Sequence, residues 1–326
     1  MINIKEKRLK GYKFIDLFCG IGGFHIAFSS FGAKCVFASD IDDQAKKVYE
    51  KNFKTKVFGD ITKISPKDIP QHDIICAGFP CQAFSISGKK NGFKDEKGRG
   101  ELYKSVVNIA RFHKPKFIFL ENVKNLETHD NGNTLNTIVN SFNEIGYTTF
   151  YKALNASDYG IPQARKRIYF ICIRNDLNIK KFDFPDPLNK KISLKDVLEK
   201  GIDRSPYEIK RNDIYLNDNI NKRSDNNLIR IGRVAFGRQG ERIYSIEGHS
   251  ITLSSQGGGV GGKTGMYLID GKIYKLTGRE CARLMGFPDK YKIADTSNLC
   301  YEQFGNSVVV DVLQHIILRL VNLIGE

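Results

Sequence analysis

Phe14-Ile15-Asp16-Leu17-Phe18-Cys19-Gly20-Ile21-Gly22-Gly23 decides the fold. A short apolar strand closes on a glycine-rich turn, and helical sequence follows from Phe24 to Phe31. Glycines between a strand and a helix let a ligand approach backbone amides closely. The alternation then continues. Ala33 to Ala38 predicts a strand ending at Ser39-Asp40, Gln44 to Asn52 a helix, and Lys56-Val57-Phe58 a strand before Gly59-Asp60-Ile61. Asp73 to Ala77 is the next strand. Leu102 to Phe112 is helical by period, with Leu102, Val106, Ile109 and Ala110 on one face, and Lys116 to Leu120 is a strand ending at Glu121-Asn122-Val123. This order predicts an α/β fold with a doubly wound, mostly parallel sheet. The strands are apolar almost throughout, as strands covered on both faces must be. Such sheets do their chemistry at the carboxyl ends of the strands.

Composition sets the bounds. Hydrophobic residues make up 41% of 326 residues, which excludes wholesale disorder and allows one large domain with a smaller one. The seven cysteines form no CxxC pair, so neither a disulfide framework nor a metal site is expected, and a reducing cytoplasm fits best. The opening Met1 to Lys13 is polar and basic, unlike a signal peptide. Val308 to Ile324 is apolar but broken by Asp311, Gln314, His315, Arg319 and Asn322, so it reads as an amphipathic helix and not a membrane span. The net charge of +15 (51 Lys and Arg against 36 Asp and Glu) admits a polyanionic partner, most simply nucleic acid. A solvated lysine-rich surface would give the same number.

The end of the strand Asp73 to Ala77 carries the main chemical candidate. Gly78-Phe79-Pro80-Cys81 places a thiol at a proline corner on the ligand-binding edge of the sheet, a setting no other cysteine shares. Glu121 ends the following strand, which would bring a carboxylate into the same cleft. Arg165 and Arg167 precede or open the strand Ile168 to Ile173, and alternation puts both on one face, where they would depress the thiol pKa and anchor a carbonyl or phosphate. Asp40 suits a pair of ribose hydroxyls and Asp60 an adenine amino group; each could equally be a turn former or helix cap. Three such strand ends favour a nucleoside cofactor, and the glycine turn alone admits NAD, FAD or S-adenosylmethionine. The stretch from Ser85 to Lys104 is glycine-rich and basic, suiting a lid over nucleic acid or an ordinary surface loop.

Phe14 to Gly23, Pro80-Cys81-Gln82, Glu121-Asn122-Val123, Gln163-Ala164-Arg165-Lys166-Arg167 and Gly305-Asn306-Ser307-Val308 occur in an order that resembles the DNA cytosine-5 methyltransferases, over almost the whole chain. The resemblance implies the S-adenosylmethionine-dependent methyltransferase fold. It also implies a reaction in which Cys81 attacks C6 of a cytosine turned out of duplex DNA, while Glu121 contacts N3 and the exocyclic amine and Arg167 and Arg165 the O2 side. Phe18, Gly20, Ile21, Gly23, Asp40, Ile41, Asp60, Ile61, Pro80, Leu102, Asn306 and Ser307 would line the cofactor site. Ser85, Ser87, Lys89, Arg99, Gln239, Arg242, Ser254, Gln256 and Gly257 would meet DNA, with Gln239 entering the hole left by the flipped base and Arg242 reading a guanine. A bacterial member of the family has tryptophan where this chain has Ile41, and tyrosine where it has Gln256. The recognition sequence implied is GC-rich, GCGC first and GCNGC next, in a restriction-modification setting, with a monomeric enzyme and a separate nuclease acting on the same site.

After about residue 185 the composition changes. Asp203 to Arg230 is polar, and glycines crowd between Gly232 and Gly278, which predicts a small, loop-rich β domain. The expected division is 1–195 for catalysis, completed by 306–326, with 196–277 for recognition and 278–305 as a hinge. A tRNA cytosine-5 methyltransferase of the same fold is the alternative substrate class. An NAD-dependent oxidoreductase is disfavoured by the absence of GxGxxG, and a non-catalytic DNA-binding protein by the presence of Cys81, Glu121 and both arginines.

Overall fold

The computed structural model describes residues 8–80, 102–188, 190–216 and 227–325. Two compact units make up the chain. One comprises Ile2–Leu154, Lys166–Asp186 and Leu313–Glu326; the other comprises Asn155–Arg165 and Pro187–Val312.

The first unit is built on a seven-stranded sheet. Its elements run β1 (Lys13–Leu17), α1 (Gly23–Ser30), β2 (Lys34–Ser39), α2 (Asp43–Phe53), β3 (Val57–Phe58), β4 (Ile74–Ala77), α3 (Tyr103–His113), β5 (Phe117–Val123), α4 (Asn133–Asn143), β6 (Tyr147–Asn155) and β7 (Lys166–Arg174). The strand order is β3-β2-β1-β4-β5-β7-β6, with β1 to β5 parallel and β7 antiparallel to β5. Order reversal on either side of β1 and β4 is the switch point at which open sheets of this type bind ligands. Local chemistry starts and stops the helices. The Asp42 side chain accepts the N–H groups of Gln44 and Ala45 at the start of α2, Asp43 lies in its first turn, and Lys54 closes it in the left-handed region. The core lies between the sheet and the helices: Ile15, Ile75, Ile118 and Phe170 meet Val106, Ala110, Ile138 and Phe142, all fully buried.

The second unit has a five-stranded sheet of β8 (Ile214–Leu216), β9 (Arg230–Val234), β10 (Arg242–Ser245), β11 (Met266–Ile269) and β12 (Lys272–Tyr274), in the order β12-β11-β10-β9-β8. Its small core gathers Val234, Ile243, Met266 and Ile273. Helices α5 (Gly278–Arg283) and α6 (Ser297–Asn306), which span the expected hinge, belong to this unit. The last helix, α7 (Val310–Leu323), is amphipathic: Leu313, Ile316, Ile317 and Leu320 are buried while Leu318 and Arg319 face out. Ser297–Leu323 is long and apolar enough to cross a membrane, but most of it is buried within the fold.

Candidate active site

In the first unit, register brings the expected site residues to one edge of the sheet. Leu17 stands opposite Ser39 and Ala77, Ser39 opposite Phe58, and Ala77 opposite Leu120. The next residues along β1 to β4 therefore leave the sheet together: Phe18, Asp40, Gly59-Asp60, and Gly78 to Pro80. Glu121 follows the last β4-paired residue of β5 and stays in the sheet through its pairing with β7.

The glycine turn is held from below and from the side. Gly20 N–H donates to Asp40 Oδ2 at 2.7 Å, and Asp42 N–H donates to Asp40 Oδ1 at 2.8 Å. Burial pushes the Asp40 carboxyl up, and these N–H groups draw it back. Each carboxylate oxygen retains acceptor capacity for a hydroxyl. Phe18 has φ 53°, a left-handed conformation that costs a non-glycine residue on the order of 1 kcal/mol and gathers at ligand sites. Gly22 opens α1 at φ 86°, and a Cβ there would lie 2.2 Å from the Phe53 ring. Ile21, Gly23 and Ile61 are buried beneath the turn and strand ends. Ile41 is 74% exposed and offers an aliphatic face beside Asp40. Asp60 takes the role of helix cap: its Oδ1 accepts from Thr62 N–H at 3.0 Å and Thr62 Oγ1 at 2.7 Å, which lowers its pKa. Leu102 precedes α3.

Cys81, Ser85, Ser87, Lys89 and Arg99 lie outside the described residues. The corner that leads to Cys81 is described up to Pro80. Asn122 Nδ2 donates to Phe79 O at 3.2 Å, which fixes the corner against the end of β5. Asn122 belongs to the Glu121-Asn122-Val123 motif, yet this bracing contact has no signature in sequence. Glu121 is 8% exposed, and its Oε1 lies 3.3 Å from Arg167 Nε. The two residues sit diagonally across the antiparallel β5–β7 pair, where Glu121 faces Tyr169 and Val123 faces Arg167.

Arg165 corrects the expectation of two arginines acting alike. Its guanidinium is 2% exposed and donates to Leu253 O at 2.9 Å, Gly305 O at 3.0 Å and Ser307 O at 2.7 Å, all within the second unit. Strand alternation begins only at Lys166, so it did not govern Arg165. Arg165 clamps the backbone around the end of α6, where Asn306 and the buried Ser307 lie. Replacing it with Met is expected to destabilise the protein by about 3 kcal/mol, because three buried carbonyls lose a charged donor. Urea denaturation checks this; a loss below about 1 kcal/mol would mean that other donors replace the guanidinium.

The expected DNA-reading residues of the second unit form two adjoining loops. Gln239 is exposed in a 3₁₀ turn, Gln239–Glu241, that leads into β10 at Arg242. Gly261 N–H donates to Gly240 O at 2.8 Å, and a Cβ on Gly240 would lie 2.0 Å from Gly258 O. Only glycine lets the Gln239 turn touch the triple-glycine loop, and this contact brings Gln239 near exposed Gln256 and Gly257. Ser254 Oγ donates to Gln256 O. Arg242 Nε reaches back to Gly237 O at 3.4 Å. Sequence gave no reason to single out Phe236, which is 84% exposed in the same turn with the Arg238 guanidinium 5.6 Å from its ring.

A doubly wound sheet with a glycine turn after its first strand, and a Glu–Arg pair across β5 and β7, has the architecture of the S-adenosylmethionine-dependent methyltransferase fold. The chain belongs to the C-5 cytosine-specific DNA methylase family, whose model matches residues 12–322. It is a DNA (cytosine-5-)-methyltransferase homologous to type II enzymes. It is 52% identical to the type II methyltransferase M.HhaI of Haemophilus parahaemolyticus over 97% of this chain and 96% of that one. It is 41% identical to M.HaeII of Haemophilus aegyptius, over 96% and 94%. Among solved structures, S. pombe Dnmt2 shares the fold at TM-score 0.73 and 22% identity, covering 97% of this chain and 100% of that one. Among the described residues no cluster of three or more His, Cys, Asp or Glu could hold a metal ion.

Proposed function

We propose that the enzyme methylates C5 of a cytosine turned out of double-stranded DNA, in a short GC-rich site with GCGC the first choice and GCNGC the next. The observation that carries this reading is the Glu121–Arg167 pair, 3.3 Å apart beside the braced Pro80 corner. The fold, the glycine turn, Asp40 and exposed Ile41 fit a nucleoside cofactor, and the family implies S-adenosylmethionine. When bound, it supplies an electrophilic methyl group.

The chain's own residues do the rest. The Cys81 thiolate adds to C6 of the base, which breaks the C5–C6 double bond and makes C5 nucleophilic. Glu121 hydrogen-bonds N3 and the exocyclic amine, which stabilises the adduct as charge moves into the ring. Arg167 donates toward O2 and holds Glu121 in place. After C5 gains its methyl group, solvent water takes the C5 proton, the electrons of that C–H bond re-form the C5–C6 double bond, and the C6–S bond breaks to release the thiolate. Phe18, Gly20, Asp40, Pro80, Leu102, Asn306 and Ser307 would surround the cofactor, with Asp60 at its adenine. Gln239, Arg242, Ser254, Gln256 and Gly257, together with Ser85, Ser87, Lys89 and Arg99, would meet the duplex. The enzyme would act as a cytoplasmic monomer, with a nuclease for the same site as its partner in a restriction-modification system.

Plasmid DNA incubated with the enzyme and S-adenosylmethionine, then bisulfite-sequenced, is expected to show protected cytosines confined to one short GC-rich motif. Methylation scattered without a motif would contradict the site. Label transferred from the cofactor to tRNA but not to duplex DNA would transfer the reading to the RNA alternative.

A further inference from the structure

The second unit contains a recess of about 420 Å3 of which the methyl-transfer reading uses only Gly257. Tyr207, Glu208, Lys263, Lys275, Asn298 and Tyr301 line it together with Gly257 and Gly259, and the Glu208 carboxylate is engaged by Lys272 Nζ at 3.5 Å. The two lysines differ. Lys263 Nζ donates to Asn298 Oδ1 at 2.7 Å and pairs with Glu302 Oε1 at 2.7 Å, so its charge is balanced. Lys275 is half-buried, and among the described residues its ammonium has neither a hydrogen-bond acceptor nor an ion pair. Burial, and then the neighbouring Lys263, hold its pKa below the ordinary lysine range. A cation withdrawn from water beside a like charge is costly unless an anion completes the site. The Tyr301 hydroxyl is committed as a donor to Leu276 O at 2.6 Å, and Lys275 itself is held by its backbone N–H on Tyr207 O at 2.9 Å. The Lys275 main chain is therefore fixed at the recess wall.

We propose that this recess is a phosphate site, in which Lys275 pairs with the anionic oxygens of a phosphate group. The phosphate can come from the DNA backbone, a source that rests on the proposed substrate, or from a free phosphate-bearing ion, which does not. Gly257 belongs both to the recess wall and to the loop expected to meet DNA, so a backbone phosphate here would also anchor that loop.

The test uses the full-length enzyme, Lys275→Gln and Lys275→Arg. Duplex affinity is measured against NaCl concentration, and thermal midpoints are measured with and without inorganic pyrophosphate. A backbone phosphate predicts that Lys275→Gln weakens binding of target and non-target duplexes alike, roughly fivefold or more, and lowers the log–log salt slope by about one; arginine restores both. A free ion predicts an unchanged slope, with pyrophosphate raising the midpoint of wild type but not of Lys275→Gln. An unchanged slope with no pyrophosphate effect in wild type overturns the site. Trapping of Lys275→Gln on 5-fluorocytosine DNA at saturating concentration reads the methylation mechanism separately, so the two failures are distinguishable.

Discussion

Wild-type enzyme is expected to form a denaturant-resistant adduct with duplex DNA carrying 5-fluorocytosine at the target, and Cys81→Ser is expected to form none. Addition of the thiolate to C6 and transfer of the methyl group to C5 leave fluorine where a proton should depart, so elimination stops and the Cys–C6 bond persists. A serine hydroxyl is almost wholly protonated at neutral pH and replaces the thiolate poorly. Methyl transfer should fall by at least about a thousandfold, in line with the removal of a nucleophile elsewhere. The other six cysteines cannot take over. Cys19, Cys76, Cys172, Cys281 and Cys300 are buried and Cys35 is half-buried. Burial pushes Cys35 and Cys172 up to about 12 and the rest upward as well. Thiols so raised supply almost no thiolate at neutral pH. Denaturing gel electrophoresis of the adduct decides the matter: equal adduct in Cys81→Ser would assign the nucleophile elsewhere.

The parallel half of the sheet was legible because each strand is a continuous apolar run closed by a turn former, and its register follows once the order is known. Helix α4 carries Leu135, Ile138 and Phe142 on one buried face, a helical spacing obscured by the asparagines and threonines around it. Edge strand β6 alternates too weakly to stand out. The position of Asp40 just past β2 could be read from the pattern alone, whereas Glu121, expected at a strand end, lies within β5 because β7 extends the pairing to Val123. What Asp60 does could not: an aspartate two residues before a threonine caps its own turn as readily as it meets a ligand. The case of Arg165 is similar. Its three carbonyl partners lie 88 to 142 residues away in sequence, beyond the reach of any local spacing rule. Lys275 and Lys263 acquire meaning only when the sheet and α6 surround one recess. Burial and the neighbour that balances a charge are properties of the folded chain.

Glu121→Gln is expected to lower the single-turnover rate of methyl transfer about a hundred- to a thousandfold while cofactor affinity stays within twofold. The substitution keeps the shape of the side chain and removes its charge and its titratable proton, so the amide cannot follow the change in charge at N3. β4 lies between β5 and β1, which carries the glycine turn, and this is why cofactor binding should be spared. The substitution also strands Arg167, whose side chain is only 15% exposed, beside a neutral amide. A cation deprived of its partner in a partly dry site loses its orientation. Arg167→Met should therefore slow the same step, and the double variant should be little slower than the worse of the two single variants, because residues that act as one unit are not additive. Rapid-quench measurement of all three variants on one duplex tests this. A Glu121→Gln rate within fivefold of wild type would remove the carboxylate from the chemistry. Fully multiplicative losses in the double variant would show that Arg167 serves the base independently of Glu121.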